Sequence, residues 1–250
     1  MMHRRTLLGA GAGLALAAPA LSQRTPTLRF VPQANLAALD PIWTTAIVTQ
    51  MHGYHVYDTL YALDTRLQPQ PQMAAGHETS ADGRVWRITL RDGLRFHDGE
   101  PVRATDCAAS LARWARRDPF GQILAAAVEE WRAAGDRVLE IRLTRPFPLL
   151  LEALAKPDAN VPFIMPERLA RTDANTQVTE VVGSGPYRFA RGEFVSGSRV
   201  VYAKNDGYVP RGEPNDGAAG AKVAHFPRIE WHILPDPATA AAALQAGEVE

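Results

Sequence analysis

The chain has 250 residues, 46% of them hydrophobic and 22% charged, which is the balance of a globular protein and excludes a disordered or fibrous one. Its 27 Lys and Arg offset 27 Asp and Glu, so no basic or acidic field points to a nucleic-acid or membrane-surface partner. Cys107 is the single cysteine; an internal disulfide is excluded, and with no His and orienting group assembled beside it the thiol reads as buried and inert.

In chain order, the first segment is a leader. Arg4 and Arg5 precede an apolar run from Leu7 to Ala18, and small residues follow at Ala18, Ala20 and Ser22. That is the charged, apolar and cleavage-site layout of a secretory signal. The run is too short for a resident membrane helix. The arginine pair ahead of Gly9, Gly11 and Gly13 points to twin-arginine export, with an ordinary secretory signal left open. No Cys follows the run, so no lipid anchor is indicated. Residues 1–22 are set aside from the fold.

Leu28 to Val31 reads as a first strand, and Pro32 to Trp43 as a loop. Within Ile42 to Tyr61, the residues Ile47, Met51, Tyr54 and Val56 form a helical stripe. Gln68 to Gln72 is expected as extended surface chain. Ala81-Asp82-Gly83 signals a hairpin leading into Val85 to Leu90, a strand with one buried face. Leu94 to Phe96 is expected to continue that sheet between the turns at Asp92-Gly93 and Asp98-Gly99. Thr105 and Asp106 are placed to cap a helix reaching about Arg117. A second helix is expected over Phe120 to Trp131, a strand over Val138 to Leu143 and a short helix over Pro148 to Leu154. Pro157 to Pro162 breaks the pattern.

Beyond residue 180, Val182-Gly183-Ser184-Gly185-Pro186-Tyr187 is a tight glycine turn entering a strand, Tyr187 to Phe189. Arg199 to Tyr202 is another strand, and Asn205 to Lys222 a long loop. Arg228 to Leu234 alternates as a strand. Pro235 to Ala246 is an Ala-rich helix ended by Gly247.

Catalytic and metal motifs are absent: no H-E-x-x-H, no phosphate-binding loop and no cysteine knuckle. Gly183-Ser184-Gly185 lacks the spacers of a nucleophile elbow. His52 and His55 share a helical face, but no third metal ligand is visible beside them. His77 and His97 read as surface residues beside turns.

Several segments carry a family resemblance: Tyr57-Asp58-Thr59-Leu60, Trp86 to Leu90, Leu90-Arg91-Asp92-Gly93-Leu94-Arg95-Phe96-His97-Asp98-Gly99, Val182 to Tyr187, and Leu234-Pro235-Asp236 followed by Leu244-Gln245-Ala246-Gly247-Glu248-Val249. In order and spacing they resemble the extracellular solute-binding proteins of family 5, receptors of dipeptide, oligopeptide and nickel importers. The resemblance implies an α/β, periplasmic-binding-protein-like (type II) fold with two lobes and a ligand between them. It implies a first domain from 27–57 plus 181–250, an inserted α+β domain over 58–180, and a second lobe following residue 250. On this reading the chain is a fragment comprising the first lobe.

The implied role is capture of a peptide or similar small solute by hinge closure, without chemistry, in the periplasm. The implied partners are the permease and ATPase subunits of an ABC transporter; a monomer is expected, with no nucleic acid, cofactor or metal. Trp43, with Thr44 and Thr49, lies in or near a loop that lines the cleft in the family, although a core role for Trp43 remains open. Phe120 and Gly121 stand where nickel-binding relatives place an aromatic contact. Lys156 ends a helix that approaches the cleft in those relatives, and either meets a carboxylate or is a solvated partner of the helix end. The absence of arginine in Ala155 to Asp158 disfavours a nickel chelate. A secreted hydrolase and a non-transport ligand sensor are the alternatives.

Overall fold

The structure, a computed structural model, describes residues 26–250; the leader expected over residues 1–22 lies outside the described residues. The described chain begins with β1 (Thr27–Phe30), α1 (Ile47–Val56), β2 (Asp58–Thr59), β3 (Tyr61–Leu63) and β4 (Pro69–Pro71). Then come β5 (Ala74–Thr79), β6 (Val85–Leu90), α2 (Ala104–Trp114), α3 (Pro119–Ala125), β7 (Val128–Ala133) and β8 (Val138–Leu143). The series continues with α4 (Leu150–Leu154), β9 (Phe163–Ile164), α5 (Glu167–Ala170) and β10 (Tyr187–Phe189). It ends with β11 (Arg199–Lys204), β12 (Arg228–His232) and α6 (Pro237–Gln245). No described helix is long and apolar enough to cross a membrane.

Two four-stranded sheets organise the molecule. The first has the order β1-β12-β11-β10, with β1 parallel to β12 and the other pairs antiparallel. The second, β5-β6-β8-β7, is antiparallel throughout. Each has its own core. Ile229 and Trp231 of β12 join Val200 and Tyr202 of β11 against α1, with Val161, Phe163, Met165 and Val178 completing the cluster. Around the second sheet, Ile88, Leu139 and Ile141 pack on Cys107, Leu111 and Trp114 of α2. The alternation of Val138 to Leu143 accounts for this: Leu139, Ile141 and Leu143 are buried on one face. On the other face Glu140 accepts from Arg87, Arg132 and Arg142 at 2.9, 2.6 and 2.8 Å. These hydrogen bonds hold its carboxyl down to about 2.

The glycine motif has a packing reason. A Cβ on Gly183 would stand 2.0 Å from the Val56 carbonyl oxygen, and one on Gly185 2.7 Å from the Val56 carbonyl carbon. Bare backbone is needed there because the Gly185 amide donates to Val56 O at 2.8 Å. Cys107 is fully buried, and burial pushes its thiol up.

Three expectations need correction. Leu94 to Phe96 is not a strand of the second sheet; it is a loop with one isolated bridge, Arg95 to Pro101, that drops Phe96 into the core. The helix expected to Trp131 stops at Ala125, and Trp131 sits in β7. His97 is not a free surface residue. Its amide donates to Gly183 O at 2.8 Å and its Nε2 lies 3.1 Å from Gly185 O, which ties the loop after β6 to the glycine motif.

Candidate functional site

The loop between β1 and α1 is anchored by charge. Asp40 is buried and receives Arg113 Nη1 at 3.1 Å and Nη2 at 2.7 Å, together with the amides of Ile42 and Val178. Arg113, in the last turn of α2, also donates to the carbonyls of Thr172 and Thr176. A bidentate pair satisfied this fully is a structural clamp, since each buried charge has its opposite and its hydrogen bonds. Asn160 fixes the rest of the loop by donating to Ile42 O at 2.9 Å and Thr44 O at 3.2 Å, while its own carbonyl accepts from Trp114 Nε1 at 2.6 Å.

These contacts present Trp43 and Thr44 at the rim of a cavity of about 470 Å³, lined also by Thr45, Arg116, Arg117, Gln122, Asn160 and Asn175. The Arg117 guanidinium lies 5.1 Å from the centre of the Trp43 ring. It donates to Trp43 O at 3.0 Å and to Asn175 Oδ1 at 3.4 Å. Neither Arg116 nor Arg117 pairs with a carboxylate of the described residues. The neighbouring acid, Asp118, is turned inward: it caps α3 by accepting from Gly121 N at 2.8 Å and binds Lys156 Nζ at 2.5 Å.

The residues singled out from the sequence therefore separate. Trp43 and Thr44 line the cavity. Phe120 packs on Phe147, their ring centres 6.3 Å apart. Gly121 is buried where a Cβ would come within 2.8 Å of Ala115 Cα. Lys156 pairs with Asp118, the cap of α3, and does not line the cavity. Thr49 is 1% exposed, and its hydroxyl donates to Ala38 O at 3.0 Å. Arg117, Asn160 and Asn175 escaped sequence reasoning. The Arg-Arg pair just after a helix was visible, but whether an arginine finds an acid is decided by tertiary contacts.

Two larger cavities are chemically quieter. One of about 600 Å³ beside Tyr54 and Lys222 has its cation already bound to the buried Asp58 at 2.7 Å. The other, about 570 Å³ along α2, mixes both signs, with Arg171 paired to Glu167 at 2.5 Å. His52 and His55 face the aromatic core and not a cavity. His52 Nδ1 is 2.9 Å from Tyr202 Oη, and His55 stacks on the Tyr202 ring at 4.8 Å. Burial pushes His52 down to about 3 and lowers His55 as well. Among the described residues no group of three or more His, Cys, Asp or Glu is arranged to hold a metal.

Residues 68–250 match the family model of bacterial extracellular solute-binding proteins, family 5, middle region. A probable peptide ABC transporter periplasmic-binding protein of Sinorhizobium fredii is 41% identical over an alignment covering 100% of this chain and 48% of that protein. The glutathione-binding protein GsiB of Pectobacterium atrosepticum is 26% identical, over 100% of this chain and 46% of its own length. The crystal structure of NikA from Brucella suis in complex with Fe(III)-EDTA superposes with a TM-score of 0.73 at 23% identity, covering 90% of this chain and 43% of that one; this likeness shows the fold. The chain spans about half the length of the curated relatives it matches. By its sequence match over residues 68–250 the chain belongs to the bacterial extracellular solute-binding proteins of family 5, and its fold is that of their N-terminal part.

Proposed function

We propose that the protein is the periplasmic substrate-binding component of an ABC importer, capturing a peptide or similar small solute without chemistry. The observation that carries this reading is the cavity rimmed by Trp43 and Thr44 and floored by Arg117 in a chain of this family. An aromatic wall with a few fixed polar groups is what a small-solute site needs. The Sinorhizobium fredii relative is described as a peptide transporter's binding protein, which favours a peptide as the solute. In this reading Thr49, Gly121 and Lys156 brace the wall, and Phe120 backs it from the core.

The remaining parts of the proposal follow from the same role. Residues 1–22 direct export to the periplasm, the transporter's permease and ATPase subunits are the partners, and the receptor is monomeric. Segments 27–57 and 181–250 form one domain, and 58–180 an insertion whose stretch 161–178 lies against the first domain's core. Support comes from the two separate sheets and their cores. The second lobe of the family supplies the facing wall, and hinge closure traps the solute.

Incubation with a panel of dipeptides and oligopeptides tests the reading. A receptor raises its melting temperature with bound ligand by mass action and returns every peptide intact. Cleaved products would favour a secreted hydrolase instead.

A further inference from the structure

We infer that the groove between β7, α2 and the segment after α5 is a docking site for an extended segment of another polypeptide, which adds to β7 as a further strand of the second sheet. This goes beyond the solute-binding role and does not rest on it. β7 is an edge strand, paired among the described strands with β8 alone. Its register fixes which main-chain groups face outward. The Ala134 amide donates to Val138 O at 2.8 Å, and residues opposite each other in an antiparallel pair alternate between bonded and unbonded. Arg132 and Glu140 are therefore a bonded pair, whereas Trp131 opposite Ile141 and Ala133 opposite Leu139 turn their N–H and C=O groups away from β8. No described residue meets those outward groups.

Trp131 and Ala133 also line the cavity of about 570 Å³ along α2, so an unpaired strand edge and a groove coincide. Residues directly opposite each other share a face of a sheet. Those added opposite Trp131 and Ala133 therefore point toward α2, where Ala108, Ala109 and Ala112 line the groove with nothing larger than a methyl group. α2 has 11 residues, about 16 Å of helix, which matches about five extended residues. The groove also has a direction. The Ala104 amide donates to Asp136 O at 2.7 Å, which sets the start of α2 beside the end of β7, and α3 returns the chain from the end of α2 to the start of β7. Glu167 stands at the first end, where its amide donates to Asp106 Oδ1 at 2.7 Å, and its carboxylate is already paired with Arg171. Arg116 follows the last turn of α2 at the other end and forms no ion pair among the described residues. Asp173, on the facing wall, accepts from the Asn175 amide at 2.8 Å. A strand entering antiparallel to β7, like every pair of this sheet, ends toward Arg116. The partner is therefore an extended run with small side chains at alternate residues and a carboxylate near its C-terminal end.

The probe is the N-acetylated, C-amidated hexapeptide Thr-Ala-Val-Ala-Thr-Glu, titrated into the nitrogen-15-labelled 250-residue chain. Both walls of the groove belong to this chain, so the site is complete in it. Without peptide, the amides of Trp131 and Ala133 are expected to exchange with solvent quickly and those of Glu130 and Arg132 slowly. Saturating peptide should slow the first pair. N-methylation of the peptide's second alanine, which stands opposite Trp131, should weaken binding on the order of tenfold. Ala112→Tyr fills the groove and should abolish binding while the Glu130 and Arg132 amides stay slow. Arg116→Gln should lower the affinity for this peptide and leave that for its Gln-ended analogue unchanged. Slow exchange of Trp131 and Ala133 in the chain alone would overturn the site, as would equal binding of the N-methylated peptide. So would the absence of saturable binding by the probe and by analogues with Ser or Val in place of its alanines. Shifts confined to the Trp43 indole would place the peptide in the solute cavity, overturning the groove while supporting solute capture. Protection of Trp131 and Ala133 that grows with chain concentration would give the edge to a second copy and overturn the partner segment.

Discussion

Arg113 and Arg117 leave the end of α2 four residues apart and meet opposite fates. Arg113 goes inward, where Asp40 and two carbonyl groups consume its charge and its hydrogen bonds. Arg117 lies over the Trp43 ring at the edge of a cavity, with no acid among the described residues to meet it. The contrast separates scaffold from site. A charge answered within the chain holds the fold, whereas a charge positioned but unanswered is available to a ligand.

The comparison breaks most severely if the closed pair is opened. Asp40→Ala strands the Arg113 guanidinium in the interior and is expected to cost about 3–5 kcal/mol in chemical denaturation. A loss below about 1 kcal/mol would mean that Arg113 escapes to solvent and the clamp is weaker than its geometry. Gly183→Ala, which pushes a methyl group into the Val56 carbonyl, is expected to cost about 1–3 kcal/mol. An unchanged melting temperature would contradict the packing argument for the glycine motif.

Acid provides the next largest effect. Burial lowers His52 to about 3 and His97 to about 4, and also lowers His55. These folded-state values lie below the value near 6.5 of an exposed imidazole, so below that pH the unfolded chain binds more protons. Stability is therefore full above about pH 6.5 and is lost as pH falls toward the folded-state values. The loss is at most about 1.4 kcal/mol per pH unit for each histidine. Denaturation midpoints measured from pH 7 to pH 5 should fall, and His52→Gln should flatten the slope. A flat profile in the unaltered protein would place these imidazoles in contact with water.

The smallest effect sharpens the comparison from the other side. Arg117→Gln should change stability by no more than about 0.5 kcal/mol, as for a surface change away from caps and cores. A large loss would move Arg117 into the scaffold with Arg113.

Much of the fold was legible because strands with one buried face carry their pattern locally. Val85 to Leu90 and Val138 to Leu143 alternate cleanly and pair with each other in register. β7 was hidden because Ala125-Ala126-Ala127 extends the helical signal up to it. Its alternation is also interrupted where the register shifts between Val128 and Glu130. β2 and β9, two residues each, exist through a pairing of segments about a hundred residues apart, which no local pattern encodes. β4 was obscured by Pro69 and Pro71, tolerated because β4 pairs on one side, with β3 alone.

The site was legible in part for the same reason. Trp43 and Thr44 stand in a loop marked by Asp40-Pro41, and the structure puts them at the cavity. Lys156 and Arg117 looked alike as basic residues near helix ends. Lys156 meets Asp118, while Arg117 meets an aromatic ring and two neutral oxygens. Only the assembled fold decides which charge is spent.

The most direct measurement is a nitrogen-15 NMR titration of the chain with a free-acid dipeptide, following the Trp43 indole, the amides of Thr44 and Thr45, and the Asn175 side chain. Saturable shifts concentrated in those signals and lost in Arg117→Gln are expected. Shifts centred on Tyr54 and Val223, in the cavity whose lysine is already paired, would contradict the assignment of the solute site.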